Sequence, residues 1–174
     1  MQAPVIWLTG IPGSGKTTLA LELKNYFNKK SLPSDILDGD EIRKTLSKDL
    51  GFSPEDRKEH NRRVIYIAKL LSKNGVTTIV PLITPYRSTR DEARKEIPSF
   101  VEVWVKASVD ICVQRDPKGL YKKALAGEIK DLTGLQSPYE EPEHPELVID
   151  TEKQNVAESV NLILQTLGKL GYSI

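Results

Sequence analysis

The sequence predicts an α/β protein in three layers, with a mostly parallel five-stranded sheet and helices on both of its faces. Short β-branched runs alternate with longer segments whose apolar residues repeat at helical spacing, as in successive β–α–β units. The first run, residues 5–8 (VIWL), is continuously apolar, which is typical of a strand buried on both faces. The 174 residues have the length of one domain, and we assign residues 1–174 to it.

Helix signals in the first half are strongest after residue 52. Ser53 is a good N-cap, Pro54 suits the first helical position, and Gly75 supplies a left-handed residue after the end. The predicted elements of this half are a strand at 5–8, a helix at 16–30, a strand at about 34–37, a short helix at about 40–47, a helix from Pro54 to about Asn74 and a strand at 76–83.

The second half contains a long segment without strong periodicity, residues 116–146. A stretch of this length in a compact domain is usually a functional lid or a binding loop, and we place a lid at about 116–142. It lacks the apolar repeat that would hold it to the core, so we expect it to be mobile without ligand. The other predicted elements are a polar helix at about 87–96, a strand at 101–105, a helix capped by Ser108 through Arg115, a strand at 147–149 and a terminal amphipathic helix from Val156 to Leu170.

Composition excludes several classes of protein. Apolar residues make up 39% and charged residues 28%, with a net charge of +1, which is a globular balance and not that of a disordered chain. This charge gives no overall attraction to nucleic acid or to an anionic membrane, so we expect neither as a partner. The start MQAP has no charged segment followed by an apolar one, and the single cysteine, Cys112, forms no internal disulfide. We therefore expect a cytoplasmic protein.

Residues 10–17 (GIPGSGKT) match G-x-x-x-x-G-K-[ST] in full, between a predicted strand and a predicted helix. Glycines let consecutive backbone N–H groups turn inward, and the helix N-terminus adds positive potential for phosphate oxygens. The motif predicts a P-loop NTPase fold rather than an ordinary glycine-rich turn. Lys16 would bridge the β- and γ-phosphates, and the Thr17 hydroxyl would bind Mg²⁺. The predicted ATP-binding residues here are Gly10, Ile11, Pro12, Gly13, Ser14, Gly15, Lys16, Thr17 and Thr18.

Other features narrow the class of P-loop protein. The sequence has no Asn-Lys-x-Asp motif of a guanine-binding switch, and the run 78–83 has no aspartate of a standard Walker-B ATPase at its end. Instead, Asp38-Gly39-Asp40 follows the second predicted strand, at the sheet edge where ligands collect in open α/β folds. Asp-Gly-Asp equally suits a turn followed by an N-cap, so these residues alone leave both interpretations open.

Further motifs resemble the adenylylsulfate kinase family, and the resemblance covers nearly the whole chain. It implies transfer of the γ-phosphate of ATP, with Mg²⁺, to the 3′-hydroxyl of adenosine 5′-phosphosulfate, which gives 3′-phosphoadenylyl sulfate and ADP in sulfate assimilation. It also implies a homodimer. The motifs are LDGDEIR at 37–43, GFSPEDR at 51–57 with Arg62-Arg63, PYRSTR at 85–90, QRDPKGLY at 114–121 and AGEIK at 126–130 with Thr133-Gly134.

The resemblance also implies roles for individual residues. Asp38 and Asp40 would hold the ribose hydroxyls, and one of them would orient or deprotonate the 3′-hydroxyl. Lys118 of the lid would close over the substrate, and Arg115 would approach ATP. Arginine forks match phosphate and sulfate oxygens with paired hydrogen bonds. The implied catalytic residues are Lys16, Asp38, Asp40 and Thr84, and the implied substrate-binding residues are Asp40, Arg43, Phe52, Arg57, His60, Asn61, Ile83, Thr84, Lys118 and Leu132.

Three positions depart from the family pattern. His60 stands where many members have asparagine, with Asn61 beside it, and either could share the helix face of Arg57. Leu132 stands where an aromatic residue commonly stacks on the substrate adenine. Thr84 stands where some members have a serine that becomes phosphorylated, but we expect direct transfer to the acceptor.

Two other functions are compatible with a phosphate loop. Another small-molecule P-loop kinase, acting on a nucleoside monophosphate or a sugar acid, would explain the loop and the lid but not the motifs at 38–43 and 116–121 together. A non-catalytic nucleotide sensor is disfavoured because the lysine, threonine and aspartates named above are present. Outside these motifs, we expect Cys112 in the core and His144 in an exposed loop, and no group of residues has zinc-binding spacing.

Overall fold

The computed structural model describes residues 2–174, so Met1, the first residue of the predicted domain, lies outside the described residues. The elements are β1 (Val5–Thr9), α1 (Lys16–Lys29), β2 (Ser34–Ile36), α2 (Gly39–Lys44), α3 (Pro54–Lys73), β3 (Thr77–Pro81), α4 (Arg87–Glu96), β4 (Phe100–Lys106), α5 (Val109–Arg115), α6 (Leu120–Leu125), β5 (Leu147–Asp150) and α7 (Val156–Lys169). The predicted strands and helices are therefore present, and α6 is an addition to them.

The five strands form one sheet in the order β2-β3-β1-β4-β5, and each neighbouring pair is parallel. This confirms the predicted α/β class. The chain runs to one side of β1 for β2 and β3 and to the other side for β4 and β5. The carboxyl end of β1 is therefore the switch point at which ligands bind in open α/β sheets.

Alternate residues of β1 face the two helical layers. Ile6 and Leu8 belong to a core cluster with α1 and α7, which contribute residues such as Leu23 and Ile163. Val5 and Trp7 belong to a second cluster, on the α3 and α4 side of the sheet. β1 is buried along its whole length, and the loop that follows it starts from a rigid base.

The predicted ends of helices and strands agree best with the structure where a capping residue or a glycine marks them. The Ser53 hydroxyl accepts a hydrogen bond from Asp56 N at 3.1 Å, as expected of an N-cap, and Gly75 has a φ of +80° after the end of α3. The third strand was predicted to reach Ile83 but ends at Pro81. The reason is that Leu82 N donates to Val80 O, two residues earlier, and not to a neighbouring strand. This bond turns the backbone out of the sheet.

Residues 116–142 have no apolar repeat, yet they make apolar contacts with the rest of the protein; their mobility without ligand stays a prediction. Tyr121, Ala124 and Leu132 are buried in a third cluster, together with Ile11 of the phosphate loop and Cys112. The two residues from α6 lie three positions apart in a helix of only six residues. A repeat this short gives no periodicity that a sequence pattern could reveal.

Two smaller expectations are confirmed: Cys112 is fully buried, and His144 is exposed. No helix within residues 2–174 is long and apolar enough to cross a membrane.

Candidate active site

The phosphate loop, residues 10–17, joins the carboxyl end of β1 to the N-terminus of α1. Its backbone requires glycine at the first position, because a Cβ on Gly10 would lie 2.4 Å from the carbonyl oxygen of Val105 on β4. Gly15, the N-cap of α1, has a φ of +107°, a value that residues with a Cβ rarely adopt. The loop is thus pressed against the neighbouring strand and presents the start of α1 to the switch point.

Lys16 lies folded over this loop and is only 8% exposed. Its Nζ donates to Gly10 O at 2.8 Å and to Ile11 O at 2.7 Å. Burial lowers the pKa of the ammonium to about 7, because desolvation disfavours the charged form. Phosphate oxygens beside it would restore the preference for the charged form, so Lys16 is suited to an anionic ligand.

Thr17 is exposed on the first turn of α1 and lines a cavity of about 360 Å³ with Asp35, Asp38 and Glu41. Hydroxyl and carboxylate oxygens are the ligands that Mg²⁺ prefers. Within residues 2–174, no group of three or more histidine, cysteine or acidic side chains is arranged to hold a metal alone. The Thr17 hydroxyl and the carboxylates that line the cavity could hold a Mg²⁺ ion together with nucleotide phosphates and water.

Asp38 and Asp40 lie at the start of α2, and Asp38 lines this cavity together with residues of α1. Asp38 is the N-cap: its Oδ1 accepts from Asp40 N at 2.9 Å and from Glu41 N at 3.0 Å. The turn-and-cap interpretation is therefore confirmed for Asp38, and it leaves the carboxylate at the sheet edge. Asp40 Oδ2 accepts from Lys118 Nζ at 2.5 Å, so the lid already contacts the acidic segment.

Arg43, Phe52 and Arg57 form one face of the site on α2, α3 and the loop between them. The Arg43 guanidinium lies 4.6 Å from the centre of the Phe52 ring, and this ring is 69% exposed. Arg57 donates to Thr133 Oγ1 and to Asp131 O, both at 2.9 Å, so it also contacts the lid. An exposed aromatic ring beside two guanidinium groups is suited to a flat, anionic ligand.

His60 and Asn61 lie on the buried face of α3. His60 Nδ1 is 3.0 Å from Ser47 Oγ, and burial, with the nearby charge of Arg43, lowers the pKa of the ring to about 4. Asn61 Nδ2 donates to Arg57 O at 2.8 Å, and its Oδ1 lies 3.5 Å from the Thr84 hydroxyl. The structure thus brings Asn61 and Thr84 together, and leaves His60 neutral against the loop after α2.

Thr84 is almost fully buried and has a φ of +43°, a strained value for a β-branched residue. Its hydroxyl accepts from Trp7 Nε1 at 2.9 Å. Ile83, before it, is half-buried, and its carbonyl oxygen accepts from the Thr9 hydroxyl at 2.7 Å. The predicted substrate segment 83–84 is therefore fixed by β1 rather than by its own helix or strand.

Leu132 is 8% exposed and packs in the third cluster with Ile11 and Tyr121. This position next to the phosphate loop depends on Gly134, where a Cβ would lie 2.8 Å from Ile11 Cγ2. Leu132 is thus a packing residue of the lid in this structure. Its contact with a substrate adenine stays a prediction.

Arg115, at the end of α5, donates to Thr151 Oγ1 at 2.9 Å and to Thr151 O at 2.8 Å. The Thr151 hydroxyl in turn lies 3.0 Å from Ser14 O of the phosphate loop. Arg115 is therefore held beside the loop, as an ATP contact requires. Sequence reasoning missed Thr151; the only signal is its place directly after the last strand, at the same sheet edge.

Two further residues near the site belong to motifs quoted above, but no role was predicted for either of them. The Tyr121 hydroxyl donates to Pro12 O at 2.7 Å and so joins the lid helix α6 to the phosphate loop. Arg90 is 3% exposed and forms an ion pair with Glu102 at 2.9 Å. Neither contact has a sequence signal, because each joins residues that are distant along the chain.

A phosphate loop at the switch point, an acidic segment that lines a cavity with it and a lysine-bearing lid define a P-loop kinase. The chain belongs to the adenylylsulphate kinase family, whose model matches residues 2–150.

Near-full-length relatives carry the corresponding names. A probable adenylyl-sulfate kinase of Pyrococcus abyssi is 51% identical over 172 residues, which are 99% of each chain. The adenylyl-sulfate kinase of Staphylococcus carnosus is 51% identical over 165 residues, which are 94% of this chain and 83% of that protein. The Mycobacterium tuberculosis APS kinase in complex with AMPPNP and APS is 38% identical, with a TM-score of 0.92 over 96% of this chain and 98% of that one.

Proposed function

We propose that this protein is an adenylyl-sulfate kinase, which transfers the γ-phosphate of ATP to the 3′-hydroxyl of adenosine 5′-phosphosulfate. The observation that carries this proposal is the 51% identity to a probable adenylyl-sulfate kinase over 99% of both chains. The products are ADP and 3′-phosphoadenylyl sulfate, in sulfate assimilation. The site geometry supports the same reaction, since it offers one phosphate site and one site for a flat anionic acceptor.

ATP would bind on the phosphate loop, with its β- and γ-phosphates against the backbone N–H groups and Lys16. The Thr17 hydroxyl would hold a Mg²⁺ ion, which would neutralise charge on these phosphates. When phosphate oxygens approach, the Lys16 ammonium exchanges its bonds with Gly10 O and Ile11 O for stronger, charge-assisted ones. Arg115, which is joined to the loop through Thr151 and Ser14, would contact the same nucleotide.

The acceptor would lie between α2, Phe52 and the lid. Its adenine would stack on the exposed Phe52 ring, and its phosphate and sulfate oxygens would bind Arg43 and Arg57. Asp38 and Asp40 would orient the ribose hydroxyls toward the phosphate loop; orientation is sufficient, because phosphoryl transfer depends mainly on positioning and charge.

Lys118 can exchange its present partner, Asp40, for the acceptor. It pairs with Asp40, and both side chains are largely exposed, so the pair contributes little to stability and is exchanged at small cost. With the acceptor present, Lys118 would bind its anionic groups, and Asp40 would become available to a ribose hydroxyl. We propose that this exchange accompanies closure of the lid at about 116–142.

We further propose one kinase domain over residues 1–174 that acts as a cytoplasmic homodimer. Relatives also occur in larger assemblies: a hexameric APS kinase from Thiobacillus denitrificans matches 99% of this chain with a TM-score of 0.75, and the match spans 30% of that protein. A gluconokinase from Sinorhizobium meliloti, at 18% identity and a TM-score of 0.61, shares the fold alone.

The test is ADP release by the purified protein with ATP and Mg²⁺ against adenosine 5′-phosphosulfate, AMP and gluconate. We expect turnover with adenosine 5′-phosphosulfate and only background rates with the other two. Faster turnover of AMP or gluconate would replace the proposal with another small-molecule kinase activity, and background rates with all three would indicate a nucleotide sensor.

A further inference from the structure

The segment of the lid that returns to the core, residues 139–140, is joined to the segment 83–84 through Thr9 and Arg90. Four hydrogen bonds join these segments, through β1 and α4. The bonds run from Thr9 to Ile83 O at 2.7 Å, between Thr9 and Tyr139 at 2.8 Å, from Arg90 to Thr84 O at 2.6 Å and from Arg90 to Glu140 O at 2.5 Å.

The direction of the first two bonds follows from proton count. The Thr9 hydroxyl has one proton, and its 2.7 Å bond to the Ile83 carbonyl uses that proton. The Tyr139 hydroxyl must therefore donate to Thr9 Oγ1. Burial raises the pKa of Tyr139 to about 12, so the phenol keeps its proton at neutral pH. The chain of donors thus runs from the lid, through the residue before the phosphate loop, to the acceptor segment.

Arg90 forms the second connection, and a buried ion pair holds its side chain. Its Nη1 and Nη2 donate to the two carbonyl groups, one on each segment, while its Nε faces Glu102 at 2.9 Å. Both members of this ion pair are at most 5% exposed. The planar guanidinium therefore fixes the distance between Thr84 O and Glu140 O, and it holds the strained backbone of Thr84 in place.

We propose that Tyr139, Thr9 and Arg90 are positioning residues that couple the lid to the acceptor segment 83–84. Movement of the lid's returning end then shifts the Ile83 and Thr84 carbonyls, and lid closure shapes the acceptor pocket. The coupling reaches the nucleotide less directly, because the bonds of Thr9 and Arg90 end at Ile83 O and Thr84 O and not at the phosphate loop. This inference rests on the proposed function, since segment 83–84 is assigned to the acceptor there.

The most direct test is Tyr139→Phe, which removes one hydroxyl and keeps the packing of the ring. We expect the KM for adenosine 5′-phosphosulfate to rise about fivefold, the factor contributed by one net hydrogen bond, and the KM for ATP to stay within twofold. Tyr66→Phe, at an exposed ring on α3, is the matched control and leaves both constants unchanged. Equal rises in both KM values, or no rise for the acceptor, would overturn the proposal.

A second comparison separates positioning from structural damage. Thr9→Val removes the connecting hydroxyl, whereas Thr9→Ser keeps it. We expect the KM for adenosine 5′-phosphosulfate to rise in the first variant and to stay near its native value in the second. The double variant Thr9→Val/Tyr139→Phe should be no worse than Thr9→Val alone, because both changes break one chain. Additive effects of the two changes, or a KM in Thr9→Ser as high as that in Thr9→Val, would contradict the proposed series of hydrogen bonds.

Hydrogen exchange tests the coupling independently of turnover. In Tyr139→Phe, the amides of residues 82–86 and 136–142 should exchange faster together, while those of β1 stay protected. Faster exchange in the lid segment alone would overturn the coupling. If the native protein has no activity on adenosine 5′-phosphosulfate, the proposed function fails, and this measurement still decides whether the two segments are coupled.

Discussion

The phosphate loop and the lid are held in place by different kinds of contact. The loop, residues 10–17, is fixed mainly by backbone geometry and by Lys16, whose bonds to Gly10 and Ile11 reach only five or six residues along the chain. Tyr121 and Thr151 add two distant contacts, to Pro12 O and Ser14 O. The lid is fixed by side chains that reach from α2, α3 and α4, such as Arg57 to Thr133 across 76 residues. The nucleotide site is thus built in advance, whereas the acceptor site depends on how the lid lies.

Lys16→Ala removes the central side chain of the nucleotide site and should have the largest effect on turnover. The lysine neutralises charge on the transferring group, and loss of one such preorganised contact typically costs about a hundredfold or more in kcat. Steady-state turnover with both substrates measures it. Lys29→Ala, at the exposed end of α1, is the control. A folded Lys16→Ala protein with native kcat would show that the loop does not take part in transfer.

Asp38→Asn and Asp40→Asn test the acidic segment that lies between the nucleotide site and the acceptor site. Asparagine also caps helices, so Asp38→Asn keeps α2 intact and removes only the charge. We expect each variant to lower kcat by roughly tenfold through poorer orientation of the ribose hydroxyl. Asp91→Asn, on the exposed face of α4, should be neutral. Full activity in both variants would leave Asp-Gly-Asp as a turn and a cap without a catalytic role.

Lys118→Ala should change the acceptor side more than the nucleotide side. Its partner Asp40 is exposed, so the thermal midpoint should not change, but the KM for adenosine 5′-phosphosulfate should rise several-fold through loss of one cation near the anionic groups. Lys122→Ala, at an exposed position of α6, is the matched control. A rise in the KM for ATP with no change for the acceptor would move Lys118 to the nucleotide side.

Thr84→Val should have the smallest effect on turnover, within about fivefold, because direct transfer needs no hydroxyl there. Stability should fall by about 1–3 kcal/mol, since Trp7 Nε1 loses its buried acceptor. Denaturant unfolding measures the second quantity. Isolation of a kinetically competent phosphothreonine, formed from ATP before the acceptor binds, would contradict direct transfer.

Features set by a few neighbouring residues could be predicted from the sequence. Residues 10–17 specify the loop, and Ser53, Pro54 and Gly75 specify the ends of α3, because caps and left-handed positions depend on local backbone chemistry. The strand pattern gave the fold class in the same way. The resemblance to adenylylsulfate kinases added the function, which is a property of many distant segments together.

Features that depend on distant contacts could not be predicted. The burial of Leu132 requires Gly134 to lie against Ile11, and the position of Arg115 requires Thr151. Neither pair has a signal in the spacing of residues, because the partners meet only after the sheet has formed. The same holds for Asn61 rather than His60 beside Thr84, since both face the protein interior from adjacent positions of α3.

The burial of Lys16 makes nucleotide binding a proton-linked reaction. With its pKa lowered to about 7, the free protein has lost much of this ammonium proton at mildly alkaline pH, whereas bound phosphates favour the charged form. Binding of ATP above pH 7 therefore takes up a proton from the buffer, and the affinity falls as pH rises toward the ordinary lysine range. The heat of binding should accordingly vary with the ionisation enthalpy of the buffer at pH 8 and lose that dependence at pH 6.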